Sequence, residues 1–118
     1  MTTENLWRYR PELSAHESID LVGYEVDASD GKVGSVDEAN NAVGDSYVIV
    51  DTGPWIFGRK VLIPAGAVER IDPDERKLYI GRTKDEIKKA PEFDESTYRD
   101  TRYRDEVGGY YAAFPGTM

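Results

Sequence analysis

The side chains that could do chemistry are few, and their spacing narrows what that chemistry could be. The 118-residue chain has one histidine, His16, and no cysteine. A thiolate or multi-histidine metal site is therefore ruled out. Carboxylates are abundant, but Asp27-Ala-Ser-Asp-Gly-Lys32 lacks the alternating donors and closing glutamate of a calcium loop. Serines 14, 18, 29, 35, 46 and 96 sit in no Gly-x-Ser-x-Gly turn, and His16 alone could serve as their base. No glycine-rich phosphate loop of either common type is present. Neighbouring acids such as Asp37-Glu38 would point to opposite faces of a strand and could not work as a pair. These patterns point away from an enzyme and from any cofactor or metal.

The second group of residues with functional potential is aromatic. Leu6-Trp-Arg-Tyr-Arg-Pro11 alternates Trp7 and Tyr9 with two arginines, a composition typical of residues that dominate protein–protein hot spots. The favoured reading is an ordered arm whose Trp7 and Tyr9 cover barrel surface. Trp55 and Phe57 fall in Gly53-Pro-Trp-Ile-Phe-Gly58, where bulky apolar groups in a turn must be covered or used for contact. Tyr103, Tyr110, Tyr111 and Phe114 lie in an otherwise polar tail. Trp7, Tyr9, Trp55, Phe57, Tyr103, Tyr110, Tyr111 and Phe114 form the candidate interface set.

The elements that would position them are mostly strands. Leu21-Val-Gly-Tyr-Glu-Val-Asp27 is apolar and β-branched, and Gly31 suits the turn after it. Lys32–Ala39, Ser46–Thr52, Arg59–Pro64, Ala67–Ile71 and Lys77–Ile80 continue the series. Asn40–Asp45 reads as a hairpin loop, and Asp72-Pro-Asp-Glu75 as a turn in which proline presets φ. Gly23 and Gly34 inside strands mark a bend, a bulge or a close backbone approach. Ser46–Thr52 is apolar on both faces, which predicts a central strand covered on both sides. Six short strands with frequent turns predict a mainly β fold, a small antiparallel β-barrel with a short C-terminal helix.

That helix is expected over Thr83–Ala90, where Thr83 and Glu86 have capping-box spacing and Pro91 stops it. Tyr103, Val107, Tyr110 and Tyr111 recur at i, i+4, i+7 and i+8, which predicts a second short helix despite Gly108 and Gly109. The expected organisation is an N-terminal arm over 1–18, a barrel domain over 19–94 and a C-terminal tail over 95–118. The barrel alone is small. With no disulfide possible, its core needs the flanking segments or a second copy.

Net charge is −8 and the sequence pI about 4.6. That argues against nucleic acid, which requires a basic footprint. The longest mostly apolar run, Val61–Val68, contains Pro64 and Gly66 and falls far short of a membrane span. No direct membrane insertion and a cytoplasmic location are expected.

Taken in order, Leu21-Val-Gly-Tyr-Glu-Val-Asp27, Asp30-Gly-Lys-Val-Gly-Ser-Val36, Val61-Leu-Ile-Pro64 with Ala67-Val68, Lys77-Leu-Tyr-Ile80 and Lys84-Asp-Glu-Ile-Lys-Lys-Ala-Pro-Glu-Phe-Asp94 resemble the PRC-barrel domain. That domain is the small β-barrel of the photosynthetic reaction-centre H subunit and of the C-terminal half of a ribosome-maturation factor. The resemblance covers about Ile19 to Asp94. It implies a stand-alone bacterial member: a non-catalytic protein–protein interaction or assembly module, homodimeric, with a further protein partner. It also carries two alternatives, an accessory subunit of a membrane redox complex and a ribosome or RNA-processing adaptor. The sequence shows neither the H subunit's transmembrane helix nor the ribosome factor's preceding barrel, and acidity weighs against the RNA role.

Overall fold

Strands form where β-branched residues alternate with polar ones, and the turns fall at glycine, aspartate and proline. The computed structural model describes Trp7, Tyr9 and residues 20–42, 45–52, 60–90 and 101–112. Its strands are β1 (Glu25–Ala28), β2 (Gly31–Ala42), β3 (Asp45–Asp51), β4 (Lys60–Pro64), β5 (Val68–Asp72) and β6 (Lys77–Ile80). A 3-10 turn, Ala65–Ala67, separates β4 from β5, and two helices follow, α1 (Lys84–Lys88) and α2 (Thr101–Ala112). The fold is mainly β.

The six strands form one sheet in the order β4-β3-β2-β1-β6-β5. Every neighbouring pair is antiparallel except β1 with β6, which is parallel. This corrects the expected all-antiparallel barrel, and the cause lies between β4 and β5. Following the pairings round the sheet, β4 and β5 run in the same sense, so Ala65–Ala67 is a corner and not a hairpin. The two edges of the sheet are thus one bent stretch of chain. Flat, six strands at about 4.8 Å spacing would hold the edges about 24 Å apart. The residues from Pro64 to Val68 reach only about 14 Å when extended. The sheet must therefore roll, yet no hydrogen-bonded pairing joins β4 to β5, and it is not closed into a barrel.

Rolling is helped by three register shifts, at Val26/Asp27, Val36/Glu38 and Val68/Arg70. Each adds a residue to one strand, bending it and increasing local twist. The shift after Val36 leaves both Asp37 and Glu38 exposed, contrary to the opposite-face expectation for adjacent residues. Strand β2 also runs further than expected, since Asn40, Asn41 and Ala42 pair with Tyr47, Ser46 and Asp45.

Two glycines carry the bends. Gly23 has φ 91°, and its N–H donates to the Val36 carbonyl at 2.8 Å, so the chain turns before β1 begins at Glu25. At Gly34 a Cβ would lie 2.0 Å from the Asp51 carbonyl oxygen, so only glycine lets β2 and β3 approach this closely.

The register stacks apolar residues in rows across the inner face. Val36, Val50 and Val61 make one row, Ala39, Val48 and Ile63 another, and Val26, Leu78 and Ile71 a third. All but the partly buried Ala39 are buried. Leu21 and Ile87 of α1 join the same core. Helix α1 starts with the expected capping box: the Glu86 N–H donates to Thr83 Oγ1 at 3.1 Å and the Thr83 N–H to Glu86 Oε1 at 2.8 Å. The β1–β2 turn locks onto it, since the Lys84 N–H donates to Asp30 Oδ1 at 2.8 Å. No helix among the described residues is long and apolar enough to cross a membrane.

Candidate interaction surface

The outer face of the rolled sheet has two halves of opposite character. On β3 and β4, the outward residues Tyr47, Ile49, Leu62 and Pro64 are all buried. Apolar side chains on both faces of a strand need a covering layer, and Trp7 and α2 belong to it. The Ser46 N–H donates to the Trp7 carbonyl at 2.9 Å, fixing Trp7 beside the start of β3. The Trp7 ring meets Tyr47 edge-on, centroids 6.3 Å apart. The Arg104 guanidinium, from α2, lies 4.2 Å over the Trp7 ring and 5.8 Å from Tyr47. A planar cation against aromatic faces adds electrostatic attraction to the contact.

Helix α2 turns Tyr103, Val107 and Tyr111 inward, all buried, as their i, i+4, i+8 spacing requires, and it packs against β4. Its far end is held by polar contacts. Arg82 is only 5% exposed, and its guanidinium donates to the Gly81 carbonyl at 2.8 Å and the Tyr111 carbonyl at 3.1 Å. The last carbonyls of a helix lack intrahelical donors, so a buried arginine there satisfies a group and complements the helix dipole. Tyr110 packs edge-on against Tyr111, and its hydroxyl donates to the Glu86 carbonyl of α1. Burial, then the nearby Glu86 charge, pushes the Tyr110 hydroxyl up from its ordinary pKa and keeps it a donor.

On β2, β1, β6 and β5 the outward residues are mostly charged and at least partly exposed. The register lines them up in two rows: Lys32, Asp27, Tyr79 and Arg70, then Ser35, Glu25, Lys77 and Asp72. Glu25 lies 3.7 Å from Lys32 and 3.5 Å from Lys77, and Arg70 lies 3.3 Å from Asp72 and 5.0 Å over the Tyr79 ring. At the centre, Glu25 and Asp27 are two residues apart on one strand and share a face. Their hydrogen bond lowers the Glu25 pKa, aided by Lys77 and Lys32. Burial raises that of Asp27, reinforced by the hydrogen bond to Glu25 and by its charge. The proton preference of the pair therefore sits on Asp27.

Of the candidate interface set, Trp7, Tyr9, Tyr103 and Tyr111 are buried in this chain's own core, and Tyr110 is partly buried against it. The structure brings Trp7 next to α2 through Arg104. Trp55, Phe57 and Phe114 lie outside the described residues. Sequence reasoning missed Arg82 and Arg104, whose roles depend on neighbours remote in the chain. It also missed Glu25 with Asp27, although a period of two in a strand is the signal that pairs them. Among the described residues no three histidine, aspartate or glutamate side chains gather to hold a metal ion. No family model matches this chain, and a comparison with curated proteins returns no match.

Proposed function

We propose that this chain is a non-catalytic protein-interaction and assembly module on a PRC-barrel-type scaffold, forming a homodimer and presenting one face to a further protein. The observation that carries this reading is the division of the outer surface. Trp7 and α2 cover the apolar half within the chain. The half formed by β2, β1, β6 and β5 remains accessible and carries ordered rows of mixed charge. Cross-strand charges fixed by register suit a partner with a complementary pattern, giving specificity and reversible docking more than raw affinity. The rolled sheet and its bent edge strand support the barrel-type reading, with the Val61–Pro64 segment of the resemblance leading into the corner.

The test has two parts. Sedimentation velocity across the micromolar range is expected to show a dimer; a monomer at high micromolar concentration refutes self-association. Native-lysate capture with the full chain is then compared with a Lys77→Glu, Arg70→Glu variant. The reading expects one defined protein to be retained by the natural sequence and lost by the variant. Equal retention by both refutes the charged face as the docking surface, and recovery of membrane redox subunits would select that alternative role.

A further inference from the structure

We propose that Asp30-Gly31 is a site of spontaneous isoaspartate formation, and that α1 holds it shut in the folded chain.

The step is chemically singular in this sequence. It is the chain's one Asp-Gly, and no Asn-Gly occurs. Glycine after aspartate offers a backbone nitrogen with no side chain to hinder its attack on the carboxyl group. The Gly31 nitrogen bonds to Asp30 Cγ, and the carboxyl OH leaves with the amide hydrogen as water. The product is a five-membered succinimide. Water then adds to the main-chain carbonyl carbon of the ring and breaks its bond to the Gly31 nitrogen, so the chain continues through Cγ. One water is lost and one regained, and no oxidant or reductant is needed.

The turn that carries this step is open to water but pinned. Ser29 and Asp30 are exposed at the tip between Ala28 and Gly31, which pair across the turn. The Lys84 N–H, at the first position of α1, donates to Asp30 Oδ1 at 2.8 Å, and the Ser29 N–H donates to the Arg82 carbonyl at 2.9 Å. Closing the ring requires the Asp30 side chain and the peptide bond after it to rotate together. The strand pairing fixes one and the Lys84 N–H the other.

The pin is itself slight. Helix α1 has five residues, and its start depends on the Thr83–Glu86 capping box. A helix that short is held by its cap and by Ile87 in the core, not by its own propensity. Fraying of its first turn frees Asp30, so isomerisation proceeds from that minor state at a rate set by its population. Isoaspartate adds a methylene to the main chain of the turn and leaves its carboxylate directly on Cα. The tip then loses its fit between Ala28 and Gly31, and the Lys84 N–H loses its acceptor. Each conversion therefore persists and marks a chain whose α1 has opened.

The experiment ages the full chain at neutral pH and physiological temperature, folded and in guanidinium chloride, and counts isoaspartate at residue 30. Electron-transfer fragmentation separates it from aspartate at equal mass. Esterification by a protein-isoaspartate methyltransferase with S-adenosylmethionine counts it independently. The expected result is formation in the unfolded chain and much slower formation in the folded one. Lys84→Pro removes the N–H with the helix start intact. Proline suits the first helical position, and Thr83 already has the extended φ −79° and ψ 162° that proline favours before it. The variant should speed isomerisation of the folded chain about fivefold, the change in opening that one net hydrogen bond gives. Circular dichroism checks its fold; if it is unfolded, Thr83→Ala removes the cap instead and should act in the same direction. Absence of isoaspartate at residue 30 in the unfolded chain overturns the site. Equal rates in folded and unfolded chains, or a folded variant no faster than the natural sequence, overturn the gate.

Discussion

Replacing Gly34 with alanine tests the sheet geometry at its tightest point. The added Cβ would lie 2.0 Å from the Asp51 oxygen, 2.9 Å from the Asp51 carbonyl carbon and 3.0 Å from the Thr52 Cα. All three are backbone atoms, so no flexible side chain can swing away. Relief requires β2 and β3 to separate by more than about 1 Å, the difference between this approach and ordinary van der Waals contact. Separation there weakens the Ser35–Asp51 end of the central pair, next to the Val36–Val50–Val61 row of the core. Overpacking a well-filled core costs about 1–3 kcal/mol, and a purely backbone clash belongs at or above the top of that range. Against a total of about 6–18 kcal/mol for a chain of this size, a loss near 3 kcal/mol lowers Tm by about 10 °C or more. Thermal unfolding followed by circular dichroism, with urea unfolding in parallel, measures it. The expected urea result is a lower midpoint with an unchanged slope. A Tm within about 2 °C of the natural protein would show that β2 and β3 do not approach as described, and the inner rows built on that register would have to be redrawn.

Three other perturbations follow from single features. Leu78 is 0% exposed in the inner face, so Leu78→Ala should cost about 2–5 kcal/mol, and a Tm change of only a degree or two would remove it from the core. Arg76 adopts φ 57°, a conformation that costs a residue bearing a Cβ about 1–2 kcal/mol. Arg76→Gly should therefore be neutral or stabilising despite losing the guanidinium that lies 5.4 Å over the Tyr24 ring, whereas Arg76→Val should destabilise; equal effects of the two would refute the strain. Asp27 has a raised pKa in the folded state, so its favourable contribution is present below its unfolded pKa and lost as pH rises through the folded value. Asp27→Asn should flatten that loss and raise stability at neutral pH, as read from urea unfolding across the carboxylate range; an unchanged profile would mean the Asp27 carboxyl is not held as described. Glu25, with its pKa lowered, contributes in the opposite sense: its stabilisation is present above the unfolded pKa and lost as pH falls through the folded one.

Local patterns in the sequence locate the elements well and their partners poorly. The strands are legible because β-branched runs such as Tyr47–Val50 have few alternatives. The cap at Thr83 and the α2 stripe of Tyr103, Val107 and Tyr111 are legible because both depend on spacings of three or four residues. Asn40 and Asn41 look like turn residues, yet pairing with β3 holds them in β2; tertiary context overrides propensity there. The parallel pairing of β1 with β6 joins segments about fifty residues apart, and no local spacing encodes it. Arg82 and Arg104 are equally silent, since an arginine in sequence looks the same whether it is solvated, stacked on Trp7 or buried at a helix end. The candidate surface divides along the same line. The aromatic residues were visible as a set, but whether they face a partner or their own sheet depends on packing between remote segments.

The parallel pairing also sets the order in which the molecule can be completed during synthesis. Strand β1 finds β2 at once, but its other edge waits until β6 leaves the ribosome, seconds later at typical rates of about 5–20 residues per second. Throughout that interval β1 is an open template for any extended chain nearby. The outward side of that edge carries Glu25 and Asp27, with Lys77 and Tyr79 arriving only with β6. A pair of acidic side chains on a four-residue strand is poor company for a second nascent copy, which would bring the same two charges. Two like charges on so short an edge would repel a second copy until Lys77, on the strand that covers that edge, pairs with Glu25.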